Sequence, residues 1–381
     1  MTPRSRSSVR PGKFLPQALT LVFVAIPVAP LVLVASGTAW AADVYQLSSD
    51  DASALFDKAK TSVVQVRSGD PGFVQAGSGF FIDDQGTVLT SSTILGDNKT
   101  ARVVINGVEI DAKIIGNDPR SGLAMLRVAY DASPFLPFGN SGDLKTGNGV
   151  VMIGFPMNLA VSSSQGPVSG FDASYLSKVD PAESEKNSVA AVERFATTHL
   201  HADVAISPGQ VGGPLLNSRG EVVGLVATSP DNGKSIYALP AEAMTKIIAD
   251  FNLYGHARHG WVGVNVAEGA DTNHDGRRVR VVQVVPGSPA SGSGIQIGDT
   301  LMRIDAREIY QPADVLDASF FSRVGGNMTV VVRRDEKLYD YTFAVVERPP
   351  NPTAGAAAVT SAPRTGSTAQ PMLVNHGAPN P

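Results

Sequence analysis

Cysteine is absent from the 381 residues. That excludes disulfides, thiolate zinc sites, iron–sulfur clusters and a cysteine nucleophile together. Histidine is scarce, with only six residues, at positions 199, 201, 256, 259, 274 and 376. Aromatic residues make up 7% and charged residues 17%, with a formal net charge of −4. No broad basic field is available for nucleic acid or an anionic membrane surface, so nucleic acid is not an expected partner. What is plentiful is glycine (38) and proline (26), a bias toward turns and short strands and away from coiled coils or helical bundles.

The two ends read differently from the middle. Arg4, Arg6, Arg10 and Lys13 precede an apolar run from Phe14 to Val34, and Ala39-Trp40-Ala41 supplies the small residues of a cleavage site. Residues 1–41 are therefore an export signal, with the mature chain starting at Ala42, or an uncleaved anchor. The run is long for a signal core, while Pro16, Pro27 and Pro30 interrupt it as a spanning helix. Both readings place the folded part in the periplasm, and the membrane is a partner only if the segment is retained. From Pro349 to Pro381 the chain is Pro-, Ala-, Gly-, Ser- and Thr-rich without apolar periodicity, the composition of a disordered tail.

Between the ends, short β-branched segments recur: 63–67, 77–83, 86–91, 101–106, 108–116, 123–128, 149–154, 166–171, 195–203, 221–228 and 235–240. Turn residues separate them and no long helices intervene, which predicts an antiparallel barrel or sandwich, a mainly β fold. A helix over Ala52–Lys60, capped by Asp50 or Asp51, opens the block. A second over Ala241–Asn252 closes it, with Ala243, Met244, Ile247, Ile248 and Phe251 at helical spacing. A basic connector, residues 255–260, leads to a second module running from Trp261 to Val346, with several strands and one helix over 312–324. The boundaries read as 42–254, 255–348 and a tail at 349–381.

Residues 77–95, 111–126, 153–159 and 206–227 resemble the HtrA/Deg family of envelope proteases, and 284–305 resembles its PDZ core. The resemblance covers nearly all of the chain from about Ala54 to Val346. It implies a trypsin-like double β-barrel followed by a C-terminal PDZ domain. It also implies a histidine, an aspartate and a serine at positions occupied here by Thr93, Gly122 and Val211. A serine hydroxyl needs an adjacent base to be a nucleophile near neutral pH, and no histidine occurs from Ala42 through Thr198. The expectation is thus a protease-dead homologue with no catalytic residues. Gly209 and Val211 match the family's oxyanion-hole donors, whose backbone N–H groups do not depend on the side chain.

In the PDZ module the resemblance implies a carboxylate-binding loop at Trp261, Val262, Gly263 and Val264. Leu316, with Phe320 or Phe321, would line a pocket for an apolar last side chain. The ligands would then be C-terminal or extended segments of other proteins. The expected role is a chaperone-like holder, scaffold or regulator in envelope protein quality control. Two alternatives stand beside it: a serine-type endopeptidase of the same family with non-standard catalytic residues, and a metal-binding envelope component. The second would use His199 and His201, whose i, i+2 spacing shares one strand face, although a third ligand is not visible and no cofactor or metal is expected. Asp271–Gly276 begins like a calcium loop, but Val282 occupies the position that needs a bidentate glutamate, so the stretch reads as an acidic hairpin. Family members also form trimers through N-terminal aromatics, which makes Tyr45 a candidate contact in a homotrimer.

Overall fold

A computed structural model of the chain describes residues 47–69, 75–172, 196–270 and 275–349. The export or anchor segment, Tyr45, Asp271–His274 and the tail from residue 350 lie outside the described residues. Among the described residues, no helix is long and apolar enough to cross a membrane.

Helix α1 (Ser49–Ala59) opens the fold. Its cap is Ser48 rather than Asp50 or Asp51. The Ser48 hydroxyl accepts from the Asp51 N–H at 3.1 Å, and the Asp51 carboxylate accepts from the Ser48 N–H at 3.4 Å, a reciprocal capping box. Ala52, Leu55 and Ala59 form its buried face.

Six strands follow: β1 (Val63–Ser68), β2 (Gln75–Phe81), β3 (Thr87–Ser91), β4 (Ala101–Ile105), β5 (Val108–Asp118) and β6 (Leu123–Val128). They close into a barrel in the order β1-β2-β3-β6-β5-β4, and closure leaves no unpaired edge. A one-turn helix, α2 (Ser92–Leu95), leaves the end of β3. The alternation of side chains along each strand serves two cores. Val64, Val66, Phe81, Val88, Ala124 and Leu126 fill one cluster, while Val63, Phe80, Leu89, Leu123 and Met125 join another that also takes α1. Burial on both faces holds for β3, whose five residues are all buried, whereas β4 alternates buried and half-buried positions.

A second closed barrel follows in the order β10-β11-β12-β9-β8-β7. Its strands are β7 (Gly149–Gly154), β8 (Ser162–Asp172), β9 (His199–Ala202), β10 (Pro214–Leu216), β11 (Val222–Thr228) and β12 (Ile236–Pro240). Val150, Met152, Leu200, Leu215 and Ile236 fill it. Val151, Ile153, Leu216 and Leu225 face the cluster shared with the first barrel. Helix α3 (Ala241–Tyr254) seals that shared cluster with Ala243, Met244, Ile247 and Phe251. It stops at Gly255, whose φ of +76° is the left-handed conformation of a helix C-terminus.

The C-terminal module holds β13 (Gly260–Trp261), β14 (Val264–Glu268), β15 (Val279–Val284), β16 (Thr300–Ile304), β17 (Arg307–Glu308), helix α4 (Pro312–Phe321), β18 (Asn327–Arg334), β19 (Lys337–Ala344) and β20 (Val346–Glu347). Its sheet runs β14-β15-β16-β18-β19, with β17 paired to β16. Its own core contains Val279, Val281, Leu301, Ile304, Val330, Val332 and Phe343.

Candidate functional site

The first candidate centre lies at the seam of the two barrels, in the turn Gly209–Gly213. Gln210 N donates to Ser207 O at 3.2 Å, Gly213 N to Gln210 O at 3.2 Å, and Gly212 N to Val226 O at 2.8 Å. The buried Gln210 side chain closes the turn by accepting from Ser207 N at 2.7 Å. Gly209 and Gly212 have φ of +94° and +89°, values that strain any residue with a Cβ. Space forbids a Cβ as well: at Gly209 it would lie 2.5 Å from Phe155 O, and at Gly212 it would overlap Ser78 O. Ser78, on β2, holds the turn from the other barrel. Its N–H donates to Val211 O at 2.8 Å, and its hydroxyl donates to Gly209 O at 2.8 Å while accepting from Phe155 N at 2.9 Å.

Thr93, Gly122 and Val211 come together around this seam. Ser92 N donates to Gly122 O at 2.9 Å, joining the α2 stretch to the turn after β5. A Cβ on Gly212 would lie 3.0 Å from Ser91 N, which joins the α2 stretch to the turn that carries Val211. Thr93 is exposed, and its hydroxyl lies 2.8 Å from that of Ser91, which in turn donates to Ala227 O at 3.2 Å. The Val211 side chain packs against the cluster that contains Ile94. The turn is thus held by backbone bonds and by Ser78, while position 211 itself carries no hydroxyl.

The two strand histidines are committed to packing. His199 is buried, with Nδ1 3.0 Å from Thr197 O. Burial pushes its pKa down to about 4, against the opposing pull of the Thr197 carbonyl and Asp317. The His201 ring stacks on Tyr237, its cross-strand partner, with centroids 4.6 Å apart and planes 11° apart. Among the described residues, no group of three His, Asp or Glu side chains is placed to hold a metal ion.

The second candidate centre is the groove of the C-terminal module. Strand β14 is the outer strand of its sheet, so one side of its backbone is available to an added strand. The loop leading into it is fixed by its carbonyls: Val262 O accepts from Ala290 N at 2.9 Å and Gly263 O from Val285 N at 2.8 Å. Gly263 has a φ of +82°. Leu316 and Phe321 on α4 are 39% and 44% exposed.

Phe320 does not line this groove, which corrects the sequence expectation. It is 1% exposed and belongs to the core cluster shared by the barrels. Lys246 Nζ lies 4.9 Å above its ring, and the His259 ring is 5.8 Å away. One turn earlier on the same helix, Asp317 accepts from Thr197 Oγ1 at 2.7 Å, Thr198 N at 2.8 Å and Thr198 Oγ1 at 2.8 Å. Helix α4 therefore turns one face to the barrels and another outward. Sequence reasoning missed Asp317, Asp118 and His259. The available signal for Asp317 was a single acid inside the apolar stretch 315–321.

A model of the trypsin-like peptidase domain matches residues 77–225, and a PDZ domain model matches 260–345. The "Probable periplasmic serine endoprotease DegP-like" of Pseudomonas fulva (strain 12-X) is 32% identical over 253 residues, which cover 63% of this chain and 49% of that protein. The "Putative serine protease HhoB" of Synechocystis sp. is 25% identical over 289 residues, 70% of this chain and 65% of that protein. The chain spans about half the length of most of the curated relatives it matches. The solved structure "HtrA-type protease AlgW with tripeptide" superposes with a TM-score of 0.66 at 22% identity, covering 79% of this chain and 98% of that one. The serine endoprotease from Yersinia pestis gives 0.58 at 24%, covering 79% and 98%.

These comparisons correct the expectation of a non-enzyme. The relatives are named serine endoproteases, and replacement of three side chains does not by itself show that activity is lost. Two closed six-stranded barrels, the Gly209–Gly213 turn between them, the edge-strand module and the two matching domain models lead to one assignment: a trypsin-like peptidase domain followed by a PDZ domain, the fold of the HtrA-type proteases to which the chain is similar.

Proposed function

We propose that the chain works in the periplasm, capturing C-terminal or extended segments of other proteins in its PDZ groove and bringing them to the double barrel. Peptide-bond hydrolysis is the chemistry, and the periplasm the address, carried by the names of its relatives. The observation that carries the capture reading is the outer position of β14 beside a loop fixed by its own carbonyls. An incoming strand adds main-chain hydrogen bonds along β14, and its terminal carboxylate meets the amides of Val262, Gly263 and Val264. The exposed Leu316 and Phe321 favour an apolar last side chain.

Fluorescence anisotropy with labelled peptides ending in Val, Leu, Phe or Ala tests the capture. Free acids are expected to bind and their C-terminal amides to bind weakly. Equal binding of both forms overturns carboxylate capture. The same preparation incubated with unfolded casein reads hydrolysis. Cleavage that disappears in a Gly209→Asp variant assigns the chemistry to the turn between the barrels.

A further inference from the structure

Ser288 lies in the turn after β15 and is 6% exposed. Its hydroxyl is buried and, among the described residues, has no hydrogen-bond partner. The turn around it is stitched to the PDZ loop. Val285 N donates to Gly263 O at 2.8 Å, Ala290 N to Val262 O at 2.9 Å, and Ser288 N closes the turn on Val285 O at 3.2 Å. The side chain stands so close to Gly263 that a Cβ there would overlap both Cβ and Oγ of Ser288, with the Trp261 ring at 3.2 Å. A buried hydroxyl left unpaired is unfavourable, and native proteins pair most such groups. This one lies against Gly263, within the segment proposed above to take a chain end. A terminal carboxylate is an acceptor only, and hydrogen bonds from hydroxyls to carboxylates are short and strong.

We propose that Ser288 is a carboxylate-recognising residue of the groove. Its Oγ–H donates to the C-terminal carboxylate of the bound protein segment, beside the backbone amides of Val262–Val264. The inference rests on the C-terminal capture proposed above. It adds a side-chain donor to a site otherwise made of backbone, and it makes discrimination of a free chain end from an internal segment depend on one hydroxyl.

The test uses the full chain and one fluorescein-labelled decapeptide ending in Val, as the free acid and as the C-terminal amide. In Ser288→Ala the acid is expected to bind about tenfold more weakly, with the amide unchanged and the thermal midpoint retained. Ser288→Cys keeps the size with a weaker donor and is expected to fall between the two, which preserves the test if the alanine variant folds poorly. An acid-to-amide ratio identical in wild type and variants overturns the role of Ser288 while leaving C-terminal capture intact. A wild-type protein that binds acid and amide alike overturns both.

Discussion

His259 Nε2 lies 3.1 and 3.0 Å from the two carboxylate oxygens of Asp118, 141 residues away in sequence. Asp118 ends β5, and its carbonyl accepts from Gly122 N at 3.0 Å. His259 immediately precedes β13. The connector to the PDZ domain is therefore tied to the turn that holds Gly122. Burial pushes the Asp118 carboxyl up, but donation from His259, Ser121 and Arg120 outweighs it and holds the group below its ordinary 3.8. A depressed carboxylate contributes stability that is present above its unfolded pKa and lost as pH falls through its folded pKa.

Asp118→Ala removes one partner of a buried pair, and at pH 7 it is expected to destabilise the fold by about 3–5 kcal/mol. In acid below the folded pKa, wild-type Asp118 is protonated and the gap between the proteins narrows. Urea midpoints at pH 7 and in strong acid check this. An equal gap at both would show that the carboxylate charge is not what matters.

The sign for His199 is opposite to that of a histidine gaining a partner. Its folded pKa is lowered from 6.5 to about 4, so between those values the unfolded chain binds a proton that the folded chain does not. The contribution is fully present above the unfolded value and is lost as pH falls toward the folded one. That depression corresponds to about 3 kcal/mol. His199→Leu is expected to flatten the fall of stability between pH 6.5 and 4, whatever its effect at pH 7. An unchanged slope in pH-dependent denaturation would exclude this histidine as a source of acid sensitivity.

Most of the β architecture is legible in the sequence because it follows from local pattern. Val63–Arg67 and Leu123–Val128 are mostly apolar since both faces of the strand are largely covered, and Asn106-Gly107 marks a hairpin through positive φ at both residues. Strand β10 is missed because three residues are too few to carry a period. The errors about sites have a different origin. Phe320 and Phe321 are adjacent and chemically alike, yet one is buried against the barrels and the other is exposed. That choice depends on where Lys246, Asp250 and His259 stand in space, which no helical period encodes. The pairing of Asp118 with His259 is likewise a product of tertiary closure.

Gly263→Ala is expected to weaken C-terminal peptides at least about tenfold, since the residue sits at a φ of +82° and its Cβ would overlap Ser288. Gly287→Ala is the control, because that residue also has positive φ, +73°, but nothing lies within 4 Å of a Cβ there. Similar loss in both variants would attribute the effect to backbone strain in the module rather than to the loop.

Helix α4 meets the barrels through one face, with Asp317 and Phe320, beside the ties that the connector makes through Arg258 and His259. Asp317→Ala strands the buried Thr197 hydroxyl, and Phe320→Ala opens a cavity in the shared core, a change that typically costs about 3–5 kcal/mol. Either change is expected to loosen the connector at Arg258, whose N–H donates to Asp250 at 2.9 Å and whose guanidinium pairs with Glu347 at 3.2 Å. Trypsin cuts after arginine only where the chain can be drawn into an extended conformation, so cleavage after Arg258 reports release of the docked state. Both variants should be nicked there faster than wild type, and the radius of gyration in solution scattering should rise. If Asp317→Ala leaves both readings unchanged while Phe320→Ala shifts them, the aromatic ring alone holds the domain and the carboxylate serves only the local order of Thr197 and Thr198.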